Sequence, residues 1–336
     1  MTDIKELDLV ALEKIFSQWG HSAFHARQVF SWVYKRGVTD FAQMSDLPAE
    51  LRKRLKDNFY IVGLKVIEKL RSRDGTEKFL LESKDKNLIE CVSIPAEGRL
   101  TGCISSQAGC RYACRFCASG LSGFKRNLSC GEILEQVLYL RPSHIVFMGT
   151  GEPLDNYDHV LKAIRIINSK EAFNIGARRI TISTCGIIPA IKKLADEDLQ
   201  IELSVSLHAA DDKTRSLLVP LNTKYPLKDL IKTCAEYIKK TNRQITLEYV
   251  LIKGVNSGLP QARELSTIIK GLKLAKVNLI PVNPIKELRI EPPNKLEILF
   301  FKDYLLKAGI NATLRKSRGG DINDACGQLR LKYAKV

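Results

Sequence analysis

Residues 144–154 read HIVFMGTGEPL, and this stretch contains the strand and loop of a pattern that recurs along the chain. The first five residues predict a strand, and a glycine-rich loop follows it. A helical pattern then begins near residue 157. A strand, a short loop and a helix in this order make up one half of a parallel βαβ unit.

The same alternation continues from about residue 100 to 315. The predicted strands lie near 101–106, 144–149, 178–183, 201–206, 245–251, 276–281 and 311–315. The predicted helices lie near 130–140, 157–168, 187–195, 227–240, 260–271 and 294–308. About six repeats are too many for a small sandwich and too few for an eightfold barrel. We therefore predict an α/β fold whose core is an open, partial (β/α)6 barrel, with its chemistry at the carboxyl ends of the strands.

Polar side chains follow several of these strands. Glu152 offers a carboxylate to an ammonium or hydroxyl group, and the glycines beside it would let a ligand approach the backbone. Further small or polar residues at strand ends are Ser183, Ser206, His208 and Asn283. Each has an ordinary structural alternative, since a glycine loop often only turns the chain and a lone histidine is more often buried and satisfied. Together they predict a polar mouth.

Residues 110–117 read CRYACRFC and place three thiols in one short loop. Thiolates grouped this tightly bind soft metals or iron–sulfur clusters. Four cysteines complete a tetrahedral zinc site or an ordinary electron-transfer cluster, whereas three leave one iron with an open position. Cys103 lies seven residues upstream, and the spacing alone leaves open whether it is a fourth ligand.

The bulk charge is the strongest compositional signal. The 336 residues include 53 Lys and Arg against 37 Asp and Glu, a formal charge of +16. Such an excess favours a polyanionic partner, with nucleic acid first and an anionic membrane surface second, although it also serves solubility. No stretch approaches the ~20 apolar residues of a membrane span. The charged start without an apolar signal core and the odd number of cysteines, nine, lead us to expect a cytoplasmic protein with reduced thiols.

The N-terminal part predicts two smaller units. Residues 1–60 read as a helical RNA-binding accessory domain with basic outer residues, for which a plain solvated face is an equal alternative. Residues 61–95 read as a β-hairpin and extension joining the barrel, with a turn at Asp74-Gly75. Glu90 interrupts an apolar strand there, so we expect it on the solvent face of an edge. The barrel then covers 96–315, and 316–336 form a C-terminal tail.

The tail carries one cysteine in an unusual setting. Residues 315–329 read RKSRGGDINDACGQL, so Cys326 lacks the apolar neighbours of a packed cysteine. It is either incidental or, because a double glycine permits a sharp turn nearby, able to reach back into the mouth.

The cysteine spacing in residues 110–117 resembles that of the radical S-adenosylmethionine (SAM) superfamily, and Gly151-Glu152-Pro153 is similar to its ligand-binding loop. Further motifs resemble the RlmN/Cfr family of adenosine methyltransferases: CISSQAGC at 103–110, FKRNL at 124–128, SLHA at 206–209 and DACGQL at 324–329. The resemblance extends from the helical N-terminal unit to the tail.

The resemblance implies a radical SAM barrel with a [4Fe–4S] cluster, one per subunit, on Cys110, Cys114 and Cys117. The amine and carboxylate of SAM would chelate its fourth iron. The implied SAM contacts are Gly151, Glu152, Ser183, Ser206, Leu207, His208 and Asn283. Thr150 departs from the family, which more often has an apolar residue there, and should affect packing only. The cysteines assigned to packing are Cys91, Cys130, Cys185 and Cys234.

The implied reaction uses two SAM molecules and two further thiols. One SAM methylates Cys326, and a radical from the second takes a hydrogen from that methyl group. The carbon radical adds to adenine, Glu90 accepts the ring proton, and Cys103 attacks the Cys326 sulfur to release methylated RNA and leave a disulfide. The expected substrates are 23S rRNA near the peptidyl-transferase centre and an anticodon-adjacent adenosine of certain tRNAs. A one-electron donor and a disulfide reductant would be further partners of a monomer without membrane contact.

Two alternatives stay open at this point. The first is methylation at adenine C8 by the same machinery. No residue of the sequence distinguishes C8 from C2 methylation on physical grounds, although the basic N-terminal unit and residues 151–154 look more like the C2 branch. A non-catalytic RNA-binding protein with structural zinc is the other, and the missing fourth neighbouring ligand and the polar mouth count against it.

Overall fold

The structure, a computed structural model, describes residues 1–61, 63–121, 123–284, 290–315, 318–319, 321–322 and 328–333. The strands are β1 (Thr2–Asp3), β2 (Phe59–Tyr60), β3 (Lys65–Arg71), β4 (Glu77–Glu82), β5 (Leu88–Ala96), β6 (Arg99–Cys103), β7 (Gln107–Gly109), β8 (Phe124–Asn127), β9 (His144–Phe147), β10 (Ile180–Thr184), β11 (Glu202–Ser206), β12 (Ile245–Leu251), β13 (Ala275–Pro281) and β14 (Ala312–Leu314). The helices are α1 (Leu9–Gln18), α2 (Ala23–Ser31), α3 (Ala49–Asn58), α4 (Ala118–Leu121), α5 (Cys130–Leu140), α6 (Tyr157–Asn168), α7 (Ile188–Leu194), α8 (Asp212–Leu218), α9 (Leu227–Thr241), α10 (Leu259–Lys270), α11 (Lys295–Lys307) and α12 (Gln328–Tyr333).

One sheet organises the molecule. Its strand order is β14-β13-β12-β11-β10-β9-β6-β5-β4-β3. From β6 through β9 to β14 every neighbouring pair is parallel, and the connecting segments contain helices. Each predicted barrel strand and helix overlaps an observed one, so the partial barrel is confirmed.

The strands before the barrel extend the sheet. β3, β4 and β5 pair antiparallel, and β5 pairs antiparallel with β6. The predicted turn at Asp74-Gly75 is confirmed, with Gly75 at a φ of 83°. The expected position of Glu90 at a solvent-facing edge is wrong. β5 lies between β4 and β6, and Glu90 is only 3% exposed.

The N-terminal helices pack against the barrel through buried polar contacts as well as apolar ones. The buried apolar side chains of both parts form one continuous core. Lys5 forms an ion pair with Glu135 of α5, and Glu6 accepts a hydrogen bond of 2.7 Å from the backbone N–H of Gly131. A Cβ at Gly131 would lie 2.4 Å from Asp3 Oδ2, so the close approach requires glycine. The division of the chain near residue 60 stays a prediction about folding units.

Among the described helices, none is long and apolar enough to cross a membrane.

The Lys5–Glu135 pair generates a stability prediction. Its side chains are 0% and 8% exposed, and removing one partner of a buried pair leaves the other charge uncompensated. Lys5→Met should therefore lower the free energy of unfolding by about 3–5 kcal/mol in urea denaturation. The double variant Lys5→Met/Glu135→Leu should recover most of this loss, because it removes both charges.

The exposed pair of Lys253 and Glu291, 3.5 Å apart, supplies the control. Lys253→Met should cost less than about 1 kcal/mol. Equal losses for Lys5→Met and Lys253→Met would contradict the structural role of the buried pair.

Candidate active site

A cavity of about 600 Å³ lies at the carboxyl ends of the parallel strands. Its volume is that of a site for a cofactor-sized ligand. The predicted site residues that line it are Cys103, Cys110, Cys114, Cys117, Gly151, Glu152, Ser183, Ser206, His208 and Asn283. Leu207 is buried between two lining residues, and Glu90 lies outside the lining. Cys326 lies outside the described residues. The structure therefore brings most of the predicted residues to one place.

Backbone hydrogen bonds join the cysteine loop, residues 110–117, to two other segments and close its last turn. The Cys110 N–H donates to Gly123 O at 3.2 Å, and the Cys117 N–H donates to Cys114 O at 3.0 Å. In between, the Arg115 N–H donates to Leu218 O of α8 at 3.0 Å. The loop is thus fixed on the wall of the cavity.

The three thiols suit a cationic, sulfur-seeking group. Burial raises the pKa of Cys110 to about 12, and the Cys117 thiol and Glu152 add to the effect. Burial and the thiols of Cys117 and Cys110 also raise the pKa of Cys114. A bound metal reverses such shifts, because a coordinating thiol is deprotonated. Three thiols beside a cavity that also presents polar side chains fit a [4Fe–4S] cluster with one open iron.

The arrangement does not resemble a preformed single-ion site. Within the described part of the chain, no three His, Cys, Asp or Glu side chains converge where one metal ion would bind.

The glycine loop after β9 packs against the segment that follows β6. A Cβ at Gly149 would lie 2.6 Å from Ser105 Oγ, and one at Gly151 would lie 2.5 Å from Gln107 Cβ. Both glycines line the cavity, but the close approach that requires them is to protein rather than to a ligand. Thr150 is buried, and its hydroxyl has no hydrogen-bond partner among the described residues, which agrees with an effect on packing.

Glu152 is a buried carboxylate facing the cavity. Its Oε2 accepts from the Cys185 N–H at 2.7 Å, and its Oε1 accepts from the Leu154 N–H at 3.0 Å. Burial raises the pKa of Glu152, and these backbone donors oppose the shift. The side chains of Cys185 and Thr184 also hydrogen-bond to this carboxylate, so protein donors hold it in a fixed orientation.

His208 is both a satisfied buried histidine and a cavity residue. Its Nδ1 accepts from the Val250 N–H at 3.1 Å, and burial lowers its pKa to about 3. The ring is therefore neutral, with the proton on Nε2. It packs edge-on against Phe116 of the cysteine loop, with 4.5 Å between ring centroids.

Three of the cysteines assigned to packing are deeply buried and do not line the cavity: Cys91, Cys130 and Cys234. Cys185 differs, because it lines the cavity beside Glu152.

Glu90 lies beside the cavity rather than at a surface. Its Oε2 is 3.6 Å from Lys78 Nζ, and its Oε1 accepts from the backbone N–H of Arg330. Val92 pairs with both Cys103 and Lys78, and alternate residues of a strand share a face, so Glu90 lies on the same face as Cys103.

The described residues on both sides of Cys326 are held near this face. Before it, the Gly319 N–H donates to Asp74 at 3.0 Å, and Ile322 lines the cavity. After it, Arg330 contacts Glu90 and donates to Ser119 O of α4 at 3.2 Å. The tail therefore returns to the site from both directions.

Two polar residues of the site were missed at the level of sequence. Glu248 lines the cavity from β12, and its Oε2 accepts from Asn278 Nδ2 at 2.7 Å. A carboxylate inside the apolar run ITLEYVL is a signal that was available. Arg215 lies behind the cavity in α8, where a basic residue in a short helix gave no signal.

Comparisons with known proteins agree with this geometry. The radical SAM superfamily model matches residues 104–262, and the model of the ribosomal RNA large subunit methyltransferase N-terminal domain matches residues 2–61. A "Probable dual-specificity RNA methyltransferase RlmN" of Caldanaerobacter subterraneus subsp. tengcongensis is 46% identical and covers 100% of this chain and 99% of its own length. The protein of the same name from Clostridium novyi is also 46% identical, with the same coverage.

The fold agrees as well. The crystal structure of a radical SAM methyltransferase from Sphaerobacter thermophilus superposes with a TM-score of 0.93 at 41% identity, over 98% of this chain and 99% of that one. The chain belongs to the RlmN family of radical SAM, dual-specificity RNA methyltransferases.

Proposed function

We propose that this enzyme methylates C2 of an adenosine in 23S rRNA near the peptidyl-transferase centre, and an anticodon-adjacent adenosine of certain tRNAs, through a methyl group carried by Cys326. The observation that carries the proposal is the convergence on one cavity of the cysteine loop, Cys103 and the residues that flank Cys326. Such a substrate implies a cytoplasmic enzyme, and we propose that it acts as a monomer.

The cofactors follow from the family and fit the donor set. A [4Fe–4S] cluster on Cys110, Cys114 and Cys117, together with SAM, would supply the methyl group and the radical that activates it. Glu152 is the proposed contact of the SAM ammonium, and its position on the cavity wall supports this assignment. The other proposed SAM contacts are Gly151, Ser183, Ser206, Leu207, His208 and Asn283.

The two remaining thiols have separate tasks in the proposal. Cys326 carries the one-carbon unit to adenine. The Cys103 thiolate attacks the Cys326 sulfur: an S–S bond forms, the sulfur–carbon bond breaks, and the carbon keeps the electron pair and takes up a proton to become a methyl group. A cellular disulfide reductant then supplies the two electrons that restore both thiols. The single electron that a one-electron donor would supply to start the radical step leaves the adenine adduct again when Glu90 takes the ring proton, before Cys103 attacks.

Glu90 is the proposed acceptor of the ring proton. It shares a sheet face with Cys103, and the Lys78 ammonium and the Arg330 N–H hold its carboxylate in place. Proton transfer by a positioned carboxylate requires this kind of fixed orientation.

Basic surfaces support an RNA substrate. Arg27, Lys35 and Arg36 are exposed on the N-terminal unit. Arg315 and Arg318 line the cavity at the end of the barrel. Together with the charge of +16, these groups suit RNA phosphates. We accordingly propose residues 1–60 as an RNA-binding accessory domain, 61–95 as its connection, 96–315 as the catalytic barrel and 316–336 as the methyl-carrying tail.

The direct test is anaerobic incubation with SAM, a low-potential reductant and 23S rRNA, followed by nucleoside mass spectrometry. We expect 2-methyladenosine in rRNA exposed to the wild-type enzyme and none with Cys326→Ala. The variant should keep the visible absorbance of the cluster, because Cys326 is not a ligand. Chromatography separates the isomers: 8-methyladenosine would refute C2 specificity, and unmethylated RNA would refute the proposed function.

The resolving role of Cys103 predicts a trapped intermediate. Cys103→Ala should accumulate a covalent RNA–protein adduct, seen as a nuclease-sensitive shift on denaturing gels, because no thiolate is left to cleave the Cys326–carbon bond. Cys234→Ala is the matched control, since Cys234 is equally buried and lies away from the cavity. Free methylated RNA formed by Cys103→Ala at the wild-type rate would exclude this role.

A further inference from the structure

Arg215 is a buried cation that forms no ion pair with a carboxylate in the described part of the chain. Its side chain is among the largest that are fully buried, with the residue only 1% exposed. Within the ranges that the structure describes, no Asp or Glu oxygen forms an ion pair with it. Burying such a charge costs several kcal/mol even after relaxation, and apolar residues of similar size often replace it without loss of stability. Arg215 is therefore a candidate for a functional role.

The guanidinium joins the ends of two barrel strands. Nη2 donates to Cys185 O at 2.8 Å and to Ser206 O at 3.1 Å, and Nε donates to Leu207 O at 3.2 Å. Cys185 follows β10, and Ser206 ends β11. These are the strand ends that carry the proposed SAM contacts Ser183, Ser206, Leu207 and His208. The guanidinium is planar and its N–H donors have fixed directions, so it sets the spacing between the two strand ends. A lysine ammonium cannot do this.

The amide of Asn222 separates Arg215 from the carboxylate of Asp212. Nη1 donates to Asn222 Oδ1 at 2.8 Å, and Asn222 Nδ2 donates to Asp212 Oδ1 at 2.8 Å. Asp212 is further occupied by the Leu227 N–H at 2.8 Å. The amide relays a hydrogen bond but carries no charge, so the positive charge of Arg215 is not neutralised by direct contact.

The same helix holds the cysteine loop. Leu218, the last residue of α8, accepts from the Arg115 N–H at 3.0 Å. Cys185, whose carbonyl accepts from Arg215, lines the same cavity as the loop cysteines Cys110, Cys114 and Cys117. Arg215 therefore lies close enough to the cysteine loop to favour negative charge on it.

We propose that Arg215 is a positioning residue with two effects: it fixes the strand ends that bind SAM, and its buried charge stabilises the reduced form of the cluster. With a cluster bound, the site would contain three thiolates and Glu152, and reduction would add one more negative charge to it. Net charge and hydrogen bonding set the potentials of iron–sulfur clusters, and a buried charge is little screened by salt. The proposal rests on the proposed function only in requiring a cluster on Cys110, Cys114 and Cys117.

Arg215→Gln and Arg215→Lys separate the two effects. The midpoint potential is measured by redox titration with electron paramagnetic resonance, and SAM affinity by equilibrium dialysis, both on the reconstituted enzyme without RNA. Arg215→Gln should make reduction at least about tenfold less favourable, which is about 59 mV for a one-electron couple. In Arg215→Lys the equilibrium constant for reduction should stay within about threefold of the wild-type value, because the positive charge is kept. Both variants should bind SAM about tenfold more weakly, because the guanidinium that joins the two strand ends is lost.

Arg243→Gln is the matched control. Arg243 lies at the opposite, amino-terminal ends of the strands, where it donates to Ile201 O at 3.0 Å and pairs with Glu202 at 2.6 Å. Neither potential nor SAM affinity should change in this variant, even where its melting temperature falls.

Equal potentials in Arg215→Gln and Arg243→Gln would overturn the electrostatic effect, and wild-type SAM affinity in Arg215→Lys would overturn the positioning effect. If Arg215→Gln does not fold, Asn222→Asp tests the electrostatic effect instead. It places a carboxylate beside Nη1 of Arg215 and keeps the three hydrogen bonds to backbone carbonyls. Its potential must then become more negative, and an unchanged value would overturn the electrostatic effect. A preparation without cluster absorbance would instead contradict the proposed function, so the two failures are distinguishable.

Discussion

The site depends on the close contact between the glycine loop and the segment after β6. Ser105 is its centre, since its hydroxyl donates to Glu90 O at 2.6 Å and accepts from the Thr150 N–H at 2.8 Å. The Thr150 carbonyl in turn accepts from the Ser106 and Gln107 N–H groups at 3.0 and 3.1 Å. One short segment thus fixes β5, the end of β6 and the loop that presents Glu152. Because residues 149 and 151 must lack a Cβ for this contact, the glycines set the positions of Glu152, Glu90 and Cys103 together.

A second constraint is the amount of charge buried around the cavity. Glu152 and Glu248 are both buried carboxylates, and burial raises the pKa of each. Lys78 and Arg215 are equally buried cations. Each is held by hydrogen bonds or an ion pair, as buried charges must be. Carboxylates and cations fixed before a substrate arrives can bind charged groups without further reorganisation. This preorganisation explains why a fold would keep charges that contribute little to its stability.

Sequence periodicity predicted the barrel well because strand and helix patterns depend mainly on local burial. The cysteine loop was equally visible, since its chemistry follows from spacing. The position of Glu90 was not predictable in this way, because β5 becomes an interior strand only when β4 pairs with it and α12 covers it. Arg215 was not predictable for a similar reason: its contacts are with backbone carbonyls at the ends of β10 and β11, which no side-chain pattern reveals. The individual roles of Cys103, Glu90 and Cys326 came from family resemblance rather than from periodicity.

The C-terminal helix connects these parts. Arg330 donates its backbone N–H to Glu90 and its guanidinium to Ser119, two residues after Cys117. The proposed proton acceptor and the end of the cysteine loop are therefore in contact with the same residue of the tail. Contacts of Gly319 with Asp74 and of Arg330 with Glu90 therefore tie the described tail residues on either side of Cys326 to the strands β3 to β5 and the turn between them.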